Sequence, residues 1–345
     1  MPHADAELPW SEDVTQTIGG EEAIIQEFLA PLAAGFPGAF GLADDCALVV
    51  PKPGMEMVLK TDPVRAGVHF FEKDDPADIA WKALAVNVSD IAAKGATPIA
   101  YLLALSFPQA PAAAWLRGFA DGLRDAQAAF GCHLIGGDTD RAPGPLSITV
   151  TVLGEVPAGR MVRRATARAG DRIFVSGTIG DSGLGLHART NDFARRFWPI
   201  DAQERAFLSR RYLRPEPRLK LGEALRTHAS AAMDVSDGLA KDLDRMARAS
   251  GVAAVLDASQ VPLSDAARKI VAQVAEWRLR VLTAGDDYEV LCAVPPDHAA
   301  AFASAAAHAG VPVAPIGHCA PGHGLQVVGP DGQPVQLDRG GWDHF

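Results

Sequence analysis

Five short acidic stretches hold the residues most able to do chemistry. "GLADDCALVV" sets Asp44 and Asp45 ahead of an apolar run, and "LKTDPVRAGVHF" places Thr61 and Asp62 at the end of another. "NVSDIAAKGA" carries Asp90, "LIGGDTDRAP" carries Gly137 and Asp138, and "MDVSDGL" carries Asp234, Ser236 and Asp237. Carboxylates at strand ends, beside hydroxyls and glycine turns, are the ligand set of hard cations such as Mg²⁺. Clustered anions repel one another, and their pKa values rise unless a cation neutralises them.

Each stretch alone also has an ordinary reading. Asp138 after two glycines suits a turn, and Ser236 and Asp237 suit the cap of the next helix. Asp242 and Asp244 read as a solvated helix face. Asp90 shares one helix side with Ala83, Asn87 and Lys94, since spacings of three and four recur there. That side fits a surface stripe and a polar pocket equally. Taken together and in this order, the five stretches point to a metal–phosphate site. No G-x-x-x-x-G-K-[ST] loop, kinase H-R-D or D-F-G set, or G-x-S-x-G elbow is present. "SGTIGDSGLGL" is glycine-rich and suits helix-start packing better than phosphate binding.

The elements that must position these residues alternate in a βα-like manner. Helices are predicted over 21–34 and 75–96, in "AAAWLRGFADGLRDAQAAF", and in segments near 200–228. Strands are predicted in "CALVVP", "MEMVLKTD", "PIAYLLALSF", "HLIGG", "LSITVTVLGEV" and "DRIFVSG". The Pro-, Gly- and Arg-rich stretch 156–170 reads as a linker. It separates a first α/β domain (20–155) from a second (171–345), with 1–19 as an N-terminal extension.

Composition narrows the class. The 345 residues are 48% apolar and 21% charged, ordinary for a chain that buries a core. A net charge of −10 argues against a broad nucleic-acid surface. No apolar run is long enough for a membrane span. The acidic opening "MPHADAELPWSEDV" lacks the basic and apolar regions of a signal peptide, so a cytoplasmic location is expected. Four cysteines scattered without a C-x-x-C pair read as reduced core thiols.

In sequence order the motifs resemble the thiamine-monophosphate kinase family, part of the superfamily containing aminoimidazole ribonucleotide synthetase and selenophosphate synthetase. Further carriers are "GDRIFVSGTIGDSGLGL", "RYLRPEPRLKLGEAL", "AGDDYEVL" and the ending "GWDHF". The resemblance implies a two-domain α/β fold of the α+β type whose N-terminal domain pairs in a homodimer. It implies transfer of the ATP γ-phosphoryl group to thiamine monophosphate with several Mg²⁺ ions. Asp45, Thr61, Asp62, Asp90, Asp138, Asp234 and Asp237 fall at its metal positions. Gly137, Asp138, Arg164 and Ser236 fall at nucleotide positions, and His69, Asp286 and Trp342 at positions holding thiamine monophosphate. The acceptor phosphate is already anionic, so no general base is expected.

Three residues depart from the family pattern. Ala43 stands where Gly is usual, Lys60 where a small hydroxyl residue is common, and Asp286 where Glu is usual. Read from the residues alone, His69 also suits a turn histidine, Arg164 a solvated surface, and Trp342 an anchor in an apolar groove. The ending "WDHF" lacks the cysteine tail of the hydrogenase-maturation relative, and no reactive cysteine marks a selenophosphate synthetase. A nucleotide-binding protein without catalysis and a metal-dependent phosphatase remain as other classes.

Overall fold

The computed structural model describes residues 20–337 and 340–342, so the extension 1–19 and the last three residues of "GWDHF" lie outside the described residues. The chain divides into two compact units. One holds residues up to Val88 together with Pro98–Glu155, and the other holds Ser89–Thr97 together with Val156 onward. The last turn of the 76–93 helix and the turn after it therefore belong to the second unit.

In the first unit, residues 21–33 are helical in three successive windings, α then π then 3₁₀. Ile24, Phe28 and Leu32 recur every four residues and are buried on one side. Four strands follow: β1 (Met55–Arg65), β2 (Thr97–Phe107), β3 (His133–Arg141) and β4 (Ser147–Pro157). Their order is β1-β4-β2-β3, which leaves β1 and β3 at the two edges. The helix Ala113–Phe130 packs on one face, where Tyr101 of β2 donates its hydroxyl to Gln127 at 2.8 Å. The other face exposes Leu59 and Leu102.

The predicted strand "CALVVP" does not form. Residues 47–52 lie outside every strand, Leu48 donates its amide to Gly38, and Leu48 and Val50 are exposed. The alternation is present, but Pro51 and Pro53 remove ladder donors where a partner strand would continue.

In the second unit six strands form one sheet: β5 (Arg172–Ser176), β6 (Ala231–Asp234), β7 (Ala253–Asp257), β8 (Val290–Val294), β9 (Val313–Ala320) and β10 (Gly324–Val328). The order is β10-β7-β9-β5-β8-β6. Pairing is antiparallel except between β10 and β7, so the sheet is mixed. Its core includes Ile173, Val175, Leu184, Met246, Leu256 and Leu291. The strand β6 is an edge whose four residues are all buried. It delivers Asp234 to the loop before the helix Leu239–Ser250. Among the described residues no helix is long and apolar enough to cross a membrane.

Candidate active site

Asp45, Thr61, Asp62, His69, Gly137 and Asp138 belong to the first unit. Along β1 the side chains alternate, so Lys60 and Asp62 share a face and Thr61 points to the other. Lys60 Nζ lies 3.0 Å from Asp62 Oδ2, an ion pair between a proposed ligand and the unusual lysine beside it. Thr61 donates its hydroxyl to the Val150 carbonyl at 3.2 Å and accepts from Thr151 at 2.9 Å. His69 Nδ1 accepts the Arg65 amide at 3.0 Å, the contact of a turn histidine. Asp45 is exposed.

Asp138 is not in a turn. The strand β3 runs on to Arg141, and Asp138 is an exposed residue within it. Gly137 is needed for packing: a Cβ there would lie 1.8 Å from the Leu103 carbonyl of the neighbouring strand. Asp62 and Asp138 sit on opposite edge strands, so three strand spacings, about 14 Å, separate their ladders. The first unit does not bring these two carboxylates together.

Asp90, Arg164, Asp234, Ser236, Asp237, Asp286 and Trp342 belong to the second unit, and several of them meet there. Ser89 donates its hydroxyl to Asp234 Oδ2 at 2.7 Å, and Lys94 donates to the Ala232 carbonyl at 2.7 Å. Burial pushes the Asp234 carboxyl well above the usual carboxylate range, and the charge of Asp90 adds to the rise. Asp90 is half-buried, so its helix side is no solvated stripe. Arg164 is exposed, and its neighbour Arg163 accepts the Ala232 amide beside β6.

The loop after β6 lies against the segment before β8. Asp286 donates its amide to Ser236 at 2.7 Å, and Tyr288 donates to Val235 at 2.8 Å. Both Asp286 and Tyr288 have positive φ (65° and 53°), a region unusual for residues with a Cβ and frequent at functional sites. Trp342 donates its amide to the Asp237 carbonyl at 2.9 Å, and the residue is 53% exposed.

Residues 43–156 match the family model "AIR synthase related protein, N-terminal domain", and residues 168–329 match "AIR synthase related protein, C-terminal domain". The thiamine-monophosphate kinase of Caulobacter vibrioides is 42% identical over 323 residues, covering 93% of this chain and 89% of that protein. The solved thiamine-monophosphate kinase of Stenotrophomonas maltophilia K279a is 39% identical, with a TM-score of 0.76 over 85% of this chain and 91% of its own. A solved chain described as "AaThiL complexed with AMPPCP and TMP" is 30% identical, with a TM-score of 0.73 over 97% of this chain and 100% of its own.

The chain belongs to the thiamine-monophosphate kinase family.

Within this family member, Asp242 proves to be a residue whose importance the sequence reading missed. It is fully buried rather than on a solvated face, and its Oδ2 accepts the amides of Ser236 and Asp237, each at 2.9 Å. Burial pushes its carboxyl up to about 6. The capping reading of Ser236 and Asp237 fails for the same reason. The following helix has Gly238 at its N-cap with no side-chain cap bond, and the carboxylate reaches back from inside the helix. Asp244 does behave as a surface residue, paired with Arg248.

The "AGDDYEVL" motif hides two more. Asp287 is buried and accepts the amides of Gly180 and Ser182 at 2.9 and 3.4 Å, while Ser182 donates its hydroxyl to Asp286 at 3.3 Å. Glu289 is buried and accepts from Ser176, Arg211 and Arg218, with Arg211 at 2.8 Å. Burial would raise the Glu289 carboxyl, but the Arg218 hydrogen bond and the charges of Arg211 and Arg218 hold it below its ordinary value. Three acidic residues in a short segment leading into the apolar run of β8 were the available signal, because such groups are almost never fully buried unless paired.

Among the described residues no group of three or more His, Cys, Asp or Glu stands ready to hold a metal. The donor chemistry nevertheless fits a hard cation. Asp234 is a buried carboxyl destabilised in its charged form, beside the carboxylate of Asp90 and the hydroxyl of Ser89. All three donors are oxygens, the type such cations take. In the first unit the Asn87 amide donates to the Asp62 carbonyl at 3.4 Å, while its buried Oδ1 has no hydrogen-bond partner among the described residues. Of the four free cysteines, Cys132, Cys292 and Cys319 are buried as expected, and Cys46 is exposed.

Proposed function

We propose that this chain transfers the γ-phosphoryl group of ATP to thiamine monophosphate, giving thiamine diphosphate and ADP. The observation that carries this reading is similarity over nearly the whole chain to a relative solved with AMPPCP and TMP. Similarity at 42% identity to a named thiamine-monophosphate kinase supports the same assignment.

Asp45, Thr61, Asp62 and Asp138 of the first unit and Asp90, Asp234 and Asp237 of the second would hold Mg²⁺. Bound there, Mg²⁺ supplies charge neutralisation for the two phosphorylated substrates and for the loose transition state of phosphoryl transfer. The charge of half-buried Asp90 beside the buried Asp234 carboxyl supports this use. Thr61 would contribute through its backbone, because its hydroxyl is engaged on the opposite face.

The remaining roles follow from chemistry and position. Gly137, Asp138, Arg164 and Ser236 bind the nucleotide; exposure of the Arg164 guanidinium suits a phosphate contact. His69, Asp286 and Trp342 bind thiamine monophosphate, and the exposed indole suits a cationic thiazolium ring. The nucleophile is a phosphate oxygen that is anionic at neutral pH. The protein therefore orients and excludes water rather than removing a proton.

In this reading the N-terminal domain (20–155) is the nucleotide- and metal-binding half, joined through the linker 156–170 to the C-terminal domain (171–345), while Ser89–Thr97 cluster with the second compact unit. The N-terminal domain pairs with a second copy in a homodimer. Leu59 and Leu102 on the uncovered sheet face, together with the edge strands β1 and β3, support that pairing. The test of function is ADP release with Mg-ATP. Release should depend on thiamine monophosphate and stay at background with thiamine or inorganic phosphate alone. Equal release in all three cases would mean an ATPase.

A further inference from the structure

Asn87 carries a buried oxygen that the fold leaves unused. It lies on the helix Pro76–Ala93 and is fully buried, at 0% exposure. Its amide nitrogen donates to the Ala83 carbonyl at 3.1 Å and to the Asp62 carbonyl at 3.4 Å. Two carbonyls on the nitrogen side fix which way the amide faces, because turning it over would set acceptor against acceptor. The oxygen, Oδ1, accepts no hydrogen bond among the described residues. Leaving a buried acceptor unpaired costs free energy, so such an atom calls for a partner.

The neighbouring strand points to the chemistry of that partner. Along β1, the buried or half-buried Val58, Lys60, Asp62 and Val64 alternate with exposed Leu59, Thr61 and Pro63. The Asp62 carboxylate therefore lies on the covered side of β1, and the Asn87 amide reaches the backbone of the same residue. Lys60 Nζ lies 3.0 Å from Asp62 Oδ2, so cationic charge is already drawn to this carboxylate. A water molecule would satisfy Oδ1 alone. A hard cation satisfies Oδ1 and the carboxylate together, since carboxylate and amide oxygens are its usual ligands.

We propose that Asn87 Oδ1 is a direct oxygen ligand of the cation held by Asp62, adding an uncharged donor to the aspartate set. The inference deepens the function proposed above and rests on its metal-binding part. Two hydrogen bonds fix the amide beforehand, so the oxygen is presented with little further ordering. An amide ligand also fills a coordination position without adding another anion to a site where anions repel.

The experiment is Mn²⁺ titration followed by electron paramagnetic resonance, on the full chain, Asn87→Leu, Asp62→Ala and the double variant. Mn²⁺ stands in for Mg²⁺ because the two share a preference for oxygen ligands. Leucine is close to asparagine in shape and leaves no orphan amide atom. The expected result in Asn87→Leu is an affinity for one ion weakened at least about tenfold, the scale on which a site suffers when a supporting group goes. Asp62→Ala should weaken the same ion, and Asn87→Leu should then add nothing, since both act on one site.

The rise in thermal midpoint on adding Mg²⁺ is the second readout. It should shrink in Asn87→Leu and grow in Asn87→Asp, where a buried carboxylate replaces the amide and a cation relieves its charge. Full Mn²⁺ affinity in Asn87→Leu overturns the proposal, as does a further loss in the double variant. A rise equal to the parent's in both Asn87→Leu and Asn87→Asp also overturns it, by showing that Oδ1 holds a water. If Asn87→Leu does not fold, Asn87→Asp decides alone: a larger rise supports the ligand, and an equal or smaller one overturns it. No bound Mn²⁺ in the parent overturns the metal assignment and the ligand with it. Failure to phosphorylate thiamine monophosphate touches the functional reading alone, because both readouts are of binding.

Discussion

Ser89 and Asp234, 145 positions apart in the chain, are joined by a hydrogen bond of 2.7 Å from hydroxyl to carboxylate. The bond ties the last turn of the 76–93 helix to the end of β6. It leaves Asp234 buried beside the charge of Asp90, an arrangement that favours a bound cation. Mg²⁺ should raise the thermal midpoint of the unmodified chain, because a ligand binding only the folded state stabilises it. Asp234→Asn should abolish that rise and lower turnover by about 100-fold or more. Asp90→Asn should lower turnover at least about tenfold with the fold intact by circular dichroism. An unaltered Mg²⁺ shift in Asp234→Asn would remove Asp234 from the metal set.

The carboxylate of Asp242 holds the amides of Ser236 and Asp237 from within the following helix. Asp242→Ala leaves two amides without their acceptor, at a cost of about 1–3 kcal/mol for each that stays buried. The KM for ATP should rise several-fold, about as expected for losing a small part of the binding energy. Calorimetry and initial rates with varied ATP check both. A variant as stable as the parent would show that water replaces the carboxylate fully.

Glu289 supplies the clearest pH dependence. Its carboxyl lies below its ordinary value through Arg218 and Arg211, so the sign is that of a stabilising carboxylate. Its contribution is present above the unfolded-state pKa of about 4.3 and is lost as pH falls through the folded value. Glu289→Gln leaves two arginines poorly paired, which costs about 3–5 kcal/mol near neutrality. Urea unfolding at several pH values should show this difference shrinking as the pH drops below about 4. A difference independent of pH would assign the loss to packing instead.

The ion pair between Lys60 and Asp62 is partly exposed, at 30% and 44%. Such a pair is worth up to about 1 kcal/mol after screening, so its competition with a cation for Asp62 is modest. Lys60→Met should lower the half-saturating Mg²⁺ concentration by about two- to fivefold at low ionic strength, less at high salt. Titration of activity against Mg²⁺ measures this. A higher Mg²⁺ requirement in the variant would mean that the lysine assists the site.

The exposed leucines of the first unit carry the dimer proposal. Leu59→Glu together with Leu102→Glu should convert a dimer to a monomer in sedimentation, with secondary structure retained. Sedimentation of the parent chain as a monomer at micromolar concentration would dismiss the pairing.

Most elements were legible in the sequence because their periodicities were strong. The alternation in "LSITVTVLGEV" became β4, and the 75–96 helix formed over Pro76–Ala93. The family motifs singled out Asp90, Asp234 and Asp237, whose metal role stays a proposal. Three things were not legible. The failed strand at 46–51 has the right alternation, which outweighed Pro51 and Pro53, the residues that take ladder donors from it. The role of Asp242 depends on a loop folding back over its own helix, which local spacing cannot distinguish from a solvated face. The Lys241–Trp342 contact spans 101 positions and involves a backbone carbonyl, so no motif announces it.

The central claim is in-line phosphoryl transfer to a phosphate acceptor. Its most direct measurement is the fate of label from γ-labelled ATP incubated with thiamine monophosphate, with and without Mg²⁺. The account predicts label in the terminal phosphate of thiamine diphosphate, one ADP for each product molecule, and neither product when Mg²⁺ is chelated. Label appearing only as inorganic phosphate, or AMP formed in place of ADP, would contradict it.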